Sequence, residues 1–361
     1  DVIIDLLEAY RMNPGVFADN YNIPESGNGL PDILDEVKWE LDFFKKMQDG
    51  TGTNGFFLKV GVDNYNSVSP PSLDTRARYY VPECTSGTLS GCAMFAIGGV
   101  VYSSLADPAM KAYGADLIAR AEAAWARAVV TTNNFTTFET TCDDQNITSG
   151  DADRNAEQQK QSAFIAAVYL YEATGSNTYK TFVENNYMTT EPYASWWWGP
   201  YYNGAHLAML RYASLSGVTS SVANNIRTQK AGQNGVLSIN DYDAKKDLYR
   251  SYMPDPQYHW GSNTVKGSAG NNNLDFITFN LNPASHDLYR EVAEEYLHYF
   301  HGQNPQGMVY LSNMYAYGAE NCANEIYHMW FDNGTDWDHA INSPKGPAPG
   351  YVTGGANKDF S

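Results

Sequence analysis

The run GCAMFAIGGVVYSSLADPAMKAYGADLIARAEAAWARAVV, residues 91–130, decides the fold. Its first half is small and apolar on nearly every face, which predicts a buried helix from about Ser86 to Leu105. LADP stops that helix. Asp107 then stands as an N-cap with Pro108 at the first helical position, and an Ala-rich helix is expected from Pro108 to Val130. Two helices joined by so short a turn fold back on each other as an antiparallel pair.

The same unit recurs in both directions. Val2 to Arg11 carries Ile3, Leu6, Leu7 and Tyr10 on one stripe, with no cap or basic region before it, so residue 1 reads as a cut. A second helix is expected from Pro31 to Met47, with Ile33, Val37, Leu41 and Phe44 on its apolar face. Asp32 and Asp35 in its first turn and Lys45 and Lys46 in its last complement the helix dipole. Further helices are predicted over Ala156–Ala173 (ended by a Gly), Asn177–Tyr187, Asn203–Leu215, Ser220–Ala231, Asn273–Leu281 and Pro283–Phe300. TGSN, LSGV and LNPAS join them tightly. A short strand over Phe56–Val62 and a hairpin after Ala231 interrupt the pattern. No 30- to 50-residue repeat is visible, which excludes a TPR-like solenoid. Helix pairs of unequal hydrophobicity with elaborate loops predict an all-α toroid of inner and outer helices. Ten helices are visible, and a double ring of twelve would need two more.

At 361 residues the chain could hold one large domain or two ordinary ones. A formal charge of −18 excludes nucleic acid as a partner. No run of eighteen apolar residues occurs, so no membrane span is expected, and no signal peptide stands at Asp1. Only 18% of residues are charged while 14% are aromatic, a balance that suits a secreted, glycan-handling protein. Four cysteines allow three pairings, and Cys84–Cys92 or a buried free Cys92 are both open. No CxxC pair supports zinc. Sequons stand at Asn134, Asn146 and Asn333.

From Tyr299 to Tyr351 rings, amides and three histidines crowd between Gly and Pro without a helical period. Flat rings beside amides suit the apolar faces and hydroxyl edges of sugars. This stretch is expected to wall a carbohydrate cleft.

The segments NGLPDILDEVKWELDFFKKMQ, YHWGSN, YFHGQNP, NMYAYGAE and GPAPGYVTGG resemble, in order and across nearly the whole chain, the catalytic domain of family-nine glycoside hydrolases. The likeness is strongest to the bacterial endoglucanases often linked to an immunoglobulin-like module; no such module, and no carbohydrate-binding one, is expected within the chain. The resemblance implies an (α/α)6 barrel, here without the start of its first helix and its last helix. It implies an endo-β-1,4-glucanase that hydrolyses with inversion, one carboxyl protonating the leaving oxygen and the other activating water. The family's base lies in an Asp-Ala-Gly-Asp motif before Val2–Arg11, and its acid in the last helix. Both are expected outside this sequence, so no residue is assigned as catalytic. A non-catalytic glucan-binding barrel and an exo-acting or other β-glycan hydrolase are the alternatives.

The implied partner is a β-1,4-glucan or cello-oligosaccharide bound by a secreted monomer. His328, flanked by Tyr327 and Trp330, aligns with a histidine-bearing substrate segment of the family, with Met329 where an arginine would stand. Trp260 follows Tyr258 and His259 at a helix mouth, and Tyr315 and Tyr317 sit in MYAYGAE. Trp196–Trp197–Trp198 cannot all face inward, since neighbours point different ways, so Trp196 or Trp198 is a stacking candidate. No cofactor is required. The resemblance implies a structural calcium near the helix at Ala156. Asp151, Asp153, Asn155 and Glu157 alternate like an EF-hand opening, yet Ala156 replaces its glycine and Ser162 its closing glutamate. A solvated acidic loop is the expectation there.

Overall fold

The structure, a computed structural model, describes residues 2–64, 73–128, 147, 152, 154–233, 247–325 and 334–359. It divides into two compact units. The first is Asp1–Tyr65, Ala77–Trp198 and Tyr202–Gln229; the second is Asn66–Arg76, Gly199–Tyr201 and Lys230–Ser361.

In the first unit α1 (Val2–Met12), α2 (Asp32–Asp49), α3 (Thr85–Ser104), α4 (Pro108–Ala128), α5 (Ala156–Thr174), α6 (Asn177–Asn186), α7 (Asn203–Tyr212) and most of α8 (Ser220–Ala231) follow the expected order. Two two-residue strands, β1 (Val60–Gly61) and β2 (Tyr79–Tyr80), pair antiparallel. Of the strand expected over Phe56–Val62, β1 and the Phe57 bridge to Glu83 are what forms. The decisive helix α3 packs against α4 and α5. Among the described residues it is the one helix long and apolar enough to cross a bilayer, but 83% of that window is buried inside the protein, as a core helix requires. Its polar face is absent because Leu89, Phe95, Ile97 and Tyr102 meet protein on every side.

Local chemistry sets the ends. Asp107 Oδ1 accepts from Ala109 N at 2.7 Å, the expected cap of α4. Asn155 and Gln158 form a reciprocal capping box on α5, which ends at left-handed Gly175. Cys84 is disulfide-bonded and Cys92 is a buried free thiol donating to Ala121 O, so the two do not pair.

The second unit holds α9 (Ser262–Thr278) packed on α10 (His286–Phe300), with β3 (Val309–Ser312) and β4 (Cys322–Ala323) parallel. Here the sequence expectation needs correction, because α9 starts at Ser262 rather than Asn273. Its first half, SNTVKGSAG, lacks an apolar period and carries two glycines that disfavour helix. Tertiary packing overrides this, with Val265, Ala269, Met253, Val292 and Tyr296 forming one buried cluster. The hairpin expected after Ala231 lies outside the described residues. With ten α-helices and two small sheets among the described residues, the chain is all-α.

Gly99 and Gly114 let α3 and α4 touch backbone to backbone. A Cβ on Gly114 would stand 2.5 Å from Ser103 N and 2.9 Å from Gly99 O. Gly114→Ala in an open helix would stabilise by about 1 kcal/mol. At this crossing it is expected to destabilise by roughly 1–3 kcal/mol, read as a lower urea midpoint with unchanged slope.

Candidate functional site

The second unit gathers exposed rings on a backbone frame. Gly261 takes a left-handed conformation (φ 85°) as the N-cap of α9, and this turn throws Trp260 outward, 93% exposed. Behind it, His259 Nδ1–H donates to Trp260 O at 2.6 Å, and its Nε2 lies 3.3 Å from the Tyr201 hydroxyl. Gln257 Oε1 lies 3.1 Å from the same hydroxyl. Trp260, Tyr201 and His259 are thus one hydrogen-bonded aromatic corner.

The mouth of α9 is stitched to the chain's last described segment. Asn263 N donates to Gly354 O (3.1 Å), Asn263 Nδ2 to Thr353 O (2.9 Å) and Ser262 Oγ to Ala356 O (2.7 Å). That segment runs along β3, where Thr353 N donates to Tyr310 O and Ser312 N to Tyr351 O. At the far end of β3, Asn313 donates through Nδ2 to Pro347 O, and a 3-10 turn presents Tyr315 and Tyr317. Tyr317 is exposed and Tyr315 half-buried, its hydroxyl pKa raised by burial. Tyr351 is exposed too. The YFHGQNP motif is scaffold: Asn304 Nδ2 bridges Tyr299 O and Met308 O while its Oδ1 accepts from Gln306 N.

In the first unit the tryptophan run splits as its geometry demands. Trp196 adopts φ 59° and is exposed. Its turn is pinned by the Ser195 hydroxyl and amide on Glu191. Trp198 departs from the expectation of a stacking ring. It is 2% exposed, its indole N–H donates to Gln229 Oε1 at 3.0 Å, and His206 meets its ring edge-on, so no face is left for a sugar. Tyr327, His328 and Trp330 lie outside the described residues, as do Asp151 and Asp153.

Asn155 is used as a helix cap, which leaves the EF-hand-like run without that ligand. Among the described residues an acidic cluster forms elsewhere. Carboxylate oxygens of Asp19, Asp32 and Asp35 lie within 4.8 Å of one another. Gly29 and Gly27 N–H groups hold Asp19 at 2.6 and 2.5 Å and lower its pKa, while burial raises that of Asp35. Asp32 is 2% exposed, and its Oδ2 accepts from Tyr21 N and the Ser26 hydroxyl. Its Oδ1 is buried without a partner. Three convergent carboxylates with an orphaned buried oxygen are the donor set a hard divalent cation takes. Sequence reasoning assigned Asp32 and Asp35 to the helix dipole; the missed signal was Asp19, thirteen residues upstream of Asp32 (32 − 19) and brought back by the turns at Gly27 and Gly29.

Set against known proteins, the chain matches the model of glycosyl hydrolase family 9 over residues 2–361. It is 25% identical to a cellulose 1,4-beta-cellobiosidase of Acetivibrio thermocellus, across 96% of this chain and 39% of that protein. A metagenome-derived endoglucanase structure superposes with a TM-score of 0.73 at 23% identity, over 99% of this chain and 65% of that one. The endoglucanase CelQ of Clostridium thermocellum, solved with cellotetraose, gives 0.61 at 18% identity, over 99% and 56%. The chain thus spans roughly two fifths to two thirds of the length of these relatives.

The stitch at the mouth of α9 leaves no room for a side chain at Gly355. With φ 92°, an added Cβ would sit 2.4 Å from Ser262 Oγ and 2.6 Å from Asn263 Oδ1. Gly355→Ala is expected to cost roughly 1–3 kcal/mol, and limited proteolysis should find residues 347–359 cut faster than in the parent.

Proposed function

We propose a function from one premise: the chain belongs to glycosyl hydrolase family 9, whose fold class, the (α/α)6 barrel, is its own. In this reading it acts on β-1,4-glucan as an endo-acting, inverting glucanase, secreted and monomeric. The family match runs through both units, which supports one catalytic-type domain over residues 1–361. Inversion asks for a carboxylic acid at the leaving oxygen and a carboxylate that activates water, about 6.5–9.5 Å apart. No residue of this chain is assigned either role. What this chain contributes is grip and register: Trp260 as a stacking platform, held by His259 and Tyr201, with Tyr315 and Tyr317 on the same β3 frame. Tyr327, His328 and Trp330 join it on the resemblance, and Trp196 is a further stacking ring.

The observation that carries the reading is Trp260, almost wholly exposed on a turn where Trp260 O accepts from His259 and the Ser262 and Asn263 amides donate to His259 O and Gly354 O. A large ring held rigidly in water binds with little further loss of entropy. An exo-acting mode is the second reading, favoured by the cellobiosidase relative.

Calcium belongs to the same proposal. Asp19, Asp32 and Asp35 would hold it, and bound there it would neutralise three mutually repelling carboxylates and tie residues 19–29 to α2. It has no place in the bond-breaking step.

Two measurements test this. Cellotetraose binding by calorimetry should weaken about tenfold in Trp260→Ala (about 1.4 kcal/mol) with the unfolding midpoint unchanged, and reducing-end release should fall in parallel. Equal affinity in the variant sinks the platform. Calcium at a hundredfold excess over its Kd should add about 2.7 kcal/mol of stability, reversed by chelator and absent in Asp32→Ala. No shift in the parent rejects calcium there.

A further inference from the structure

Lys266 lies in the second turn of α9 and is 1% exposed, yet glucan binding as described makes no use of it. Its ammonium donates to Ser251 O, lies 3.5 Å from Ser251 Oγ and 3.2 Å from the Tyr258 hydroxyl. All three atoms belong to the loop 247–261, and Trp260 stands near that loop's end. From α10, Tyr299 and Tyr296 turn their rings toward the ammonium at 4.4 and 5.9 Å. We infer that Lys266 is a positioning residue that ties Ser251 to Tyr258 and so holds Trp260 at the mouth of α9, in a manner that depends on pH. The inference rests on the reading of Trp260 as the glucan platform.

The groups facing Lys266 give the sign. On the loop, the Asp247 carboxylate has a buried Oδ2 without a hydrogen-bond partner, and its charge favours the ammonium. Asp255 and Tyr252 lie on the same loop and act on Tyr258. Burial pushes the Tyr258 hydroxyl up to about 12 and those of Tyr299 on α10 and Tyr310 on β3 upward as well, so these stay protonated. For Lys266 burial outweighs Asp247 and brings the ammonium down from 10.5 to about 7. Opening the loop returns the amine to water and to its ordinary affinity for a proton. Opening therefore takes up a proton between pH 7 and 10.5, and raising pH through that window favours the closed loop by up to about tenfold per unit. Below pH 7 the amine is charged in both states and the dependence vanishes. The neutral amine keeps both contacts, donating to Ser251 O and accepting from the Tyr258 O–H.

The test is hydrogen exchange of the amides of residues 247–261 from about pH 6 to about pH 9, corrected for chemical exchange, together with cellotetraose affinity. In the parent, protection should be flat below pH 7 and climb above it, with affinity climbing alongside. In Lys266→Met both should be flat. Flat protection in the parent, or the same climb in the variant, overturns the inference. If the variant does not fold, a carbon-13 titration of Lys266 in the parent decides: a midpoint near 7 supports the tie and one near the ordinary lysine value rejects it. Protection that climbs while affinity stays constant rejects the positioning role. Climbing protection with no cellotetraose binding at any pH keeps the tie and removes the glucan reading instead.

Discussion

The first unit depends on a carboxylate with almost no access to water. Glu8, on α1, is 1% exposed. It accepts from Arg11 one turn along at 3.0 Å, from the Arg211 guanidinium on α7, and from the Tyr169 hydroxyl on α5 at 3.2 Å. Arg11 reaches on to Glu172, also on α5. Such a cluster adds little net stability over an apolar replacement, but losing one partner leaves a buried charge at a cost of about 3–5 kcal/mol. Its effect is therefore selective: one mutual placement of α1, α5 and α7 satisfies every atom, and slipped placements do not. The apolar stripe of α1 alone, Ile3, Ile4 and Leu7, would tolerate several.

The second unit solves a different problem, since its functional rings sit on irregular chain. Loops of this kind must satisfy their own backbone groups. Here the segment 347–356 is hydrogen-bonded to Ser312, Asn313 and Tyr310 along β3 and then to Ser262 and Asn263 at the start of α9. The amide side chains of Asn263, Asn304 and Asn313 are largely occupied in holding backbone. Trp260, Tyr317 and Tyr351, carried on the same frame, face solvent. A rigid polar frame with mobile-free aromatic tips is what recognition of a neutral polymer requires.

This division explains what could be read from the sequence. The helices of the first unit were legible because caps and apolar spacing agree with packing, as at Asp107–Pro108 and Thr174–Gly175. The start of α9 was not, because buried Asn, Ser, Lys and Gly carry no periodic signal. The fate of Trp198 likewise depended on Gln229, thirty-one residues away. The acidic cluster was invisible for the same reason: Asp19 meets Asp32 and Asp35 through a glycine-turned loop, and a loop's path is not written in hydrophobic spacing.

The cations that reach into the interior differ between the two units. In the first, Arg11 and Arg211 face carboxylates, and a guanidinium keeps its proton at any physiological pH. In the second, Lys230 and Lys266 are buried against mainly neutral partners, Asn272 Oδ1 for one and Ser251 and Tyr258 for the other, and burial brings both down to about 7. A lysine so placed can shed its charge, while an arginine cannot. Among the described residues, fixed charge thus locks helices where no motion is needed. Titratable charge lies beneath the loop that carries the exposed tryptophan. The placement of Lys266 beside a carbonyl and two hydroxyls is what allows pH to reach that loop.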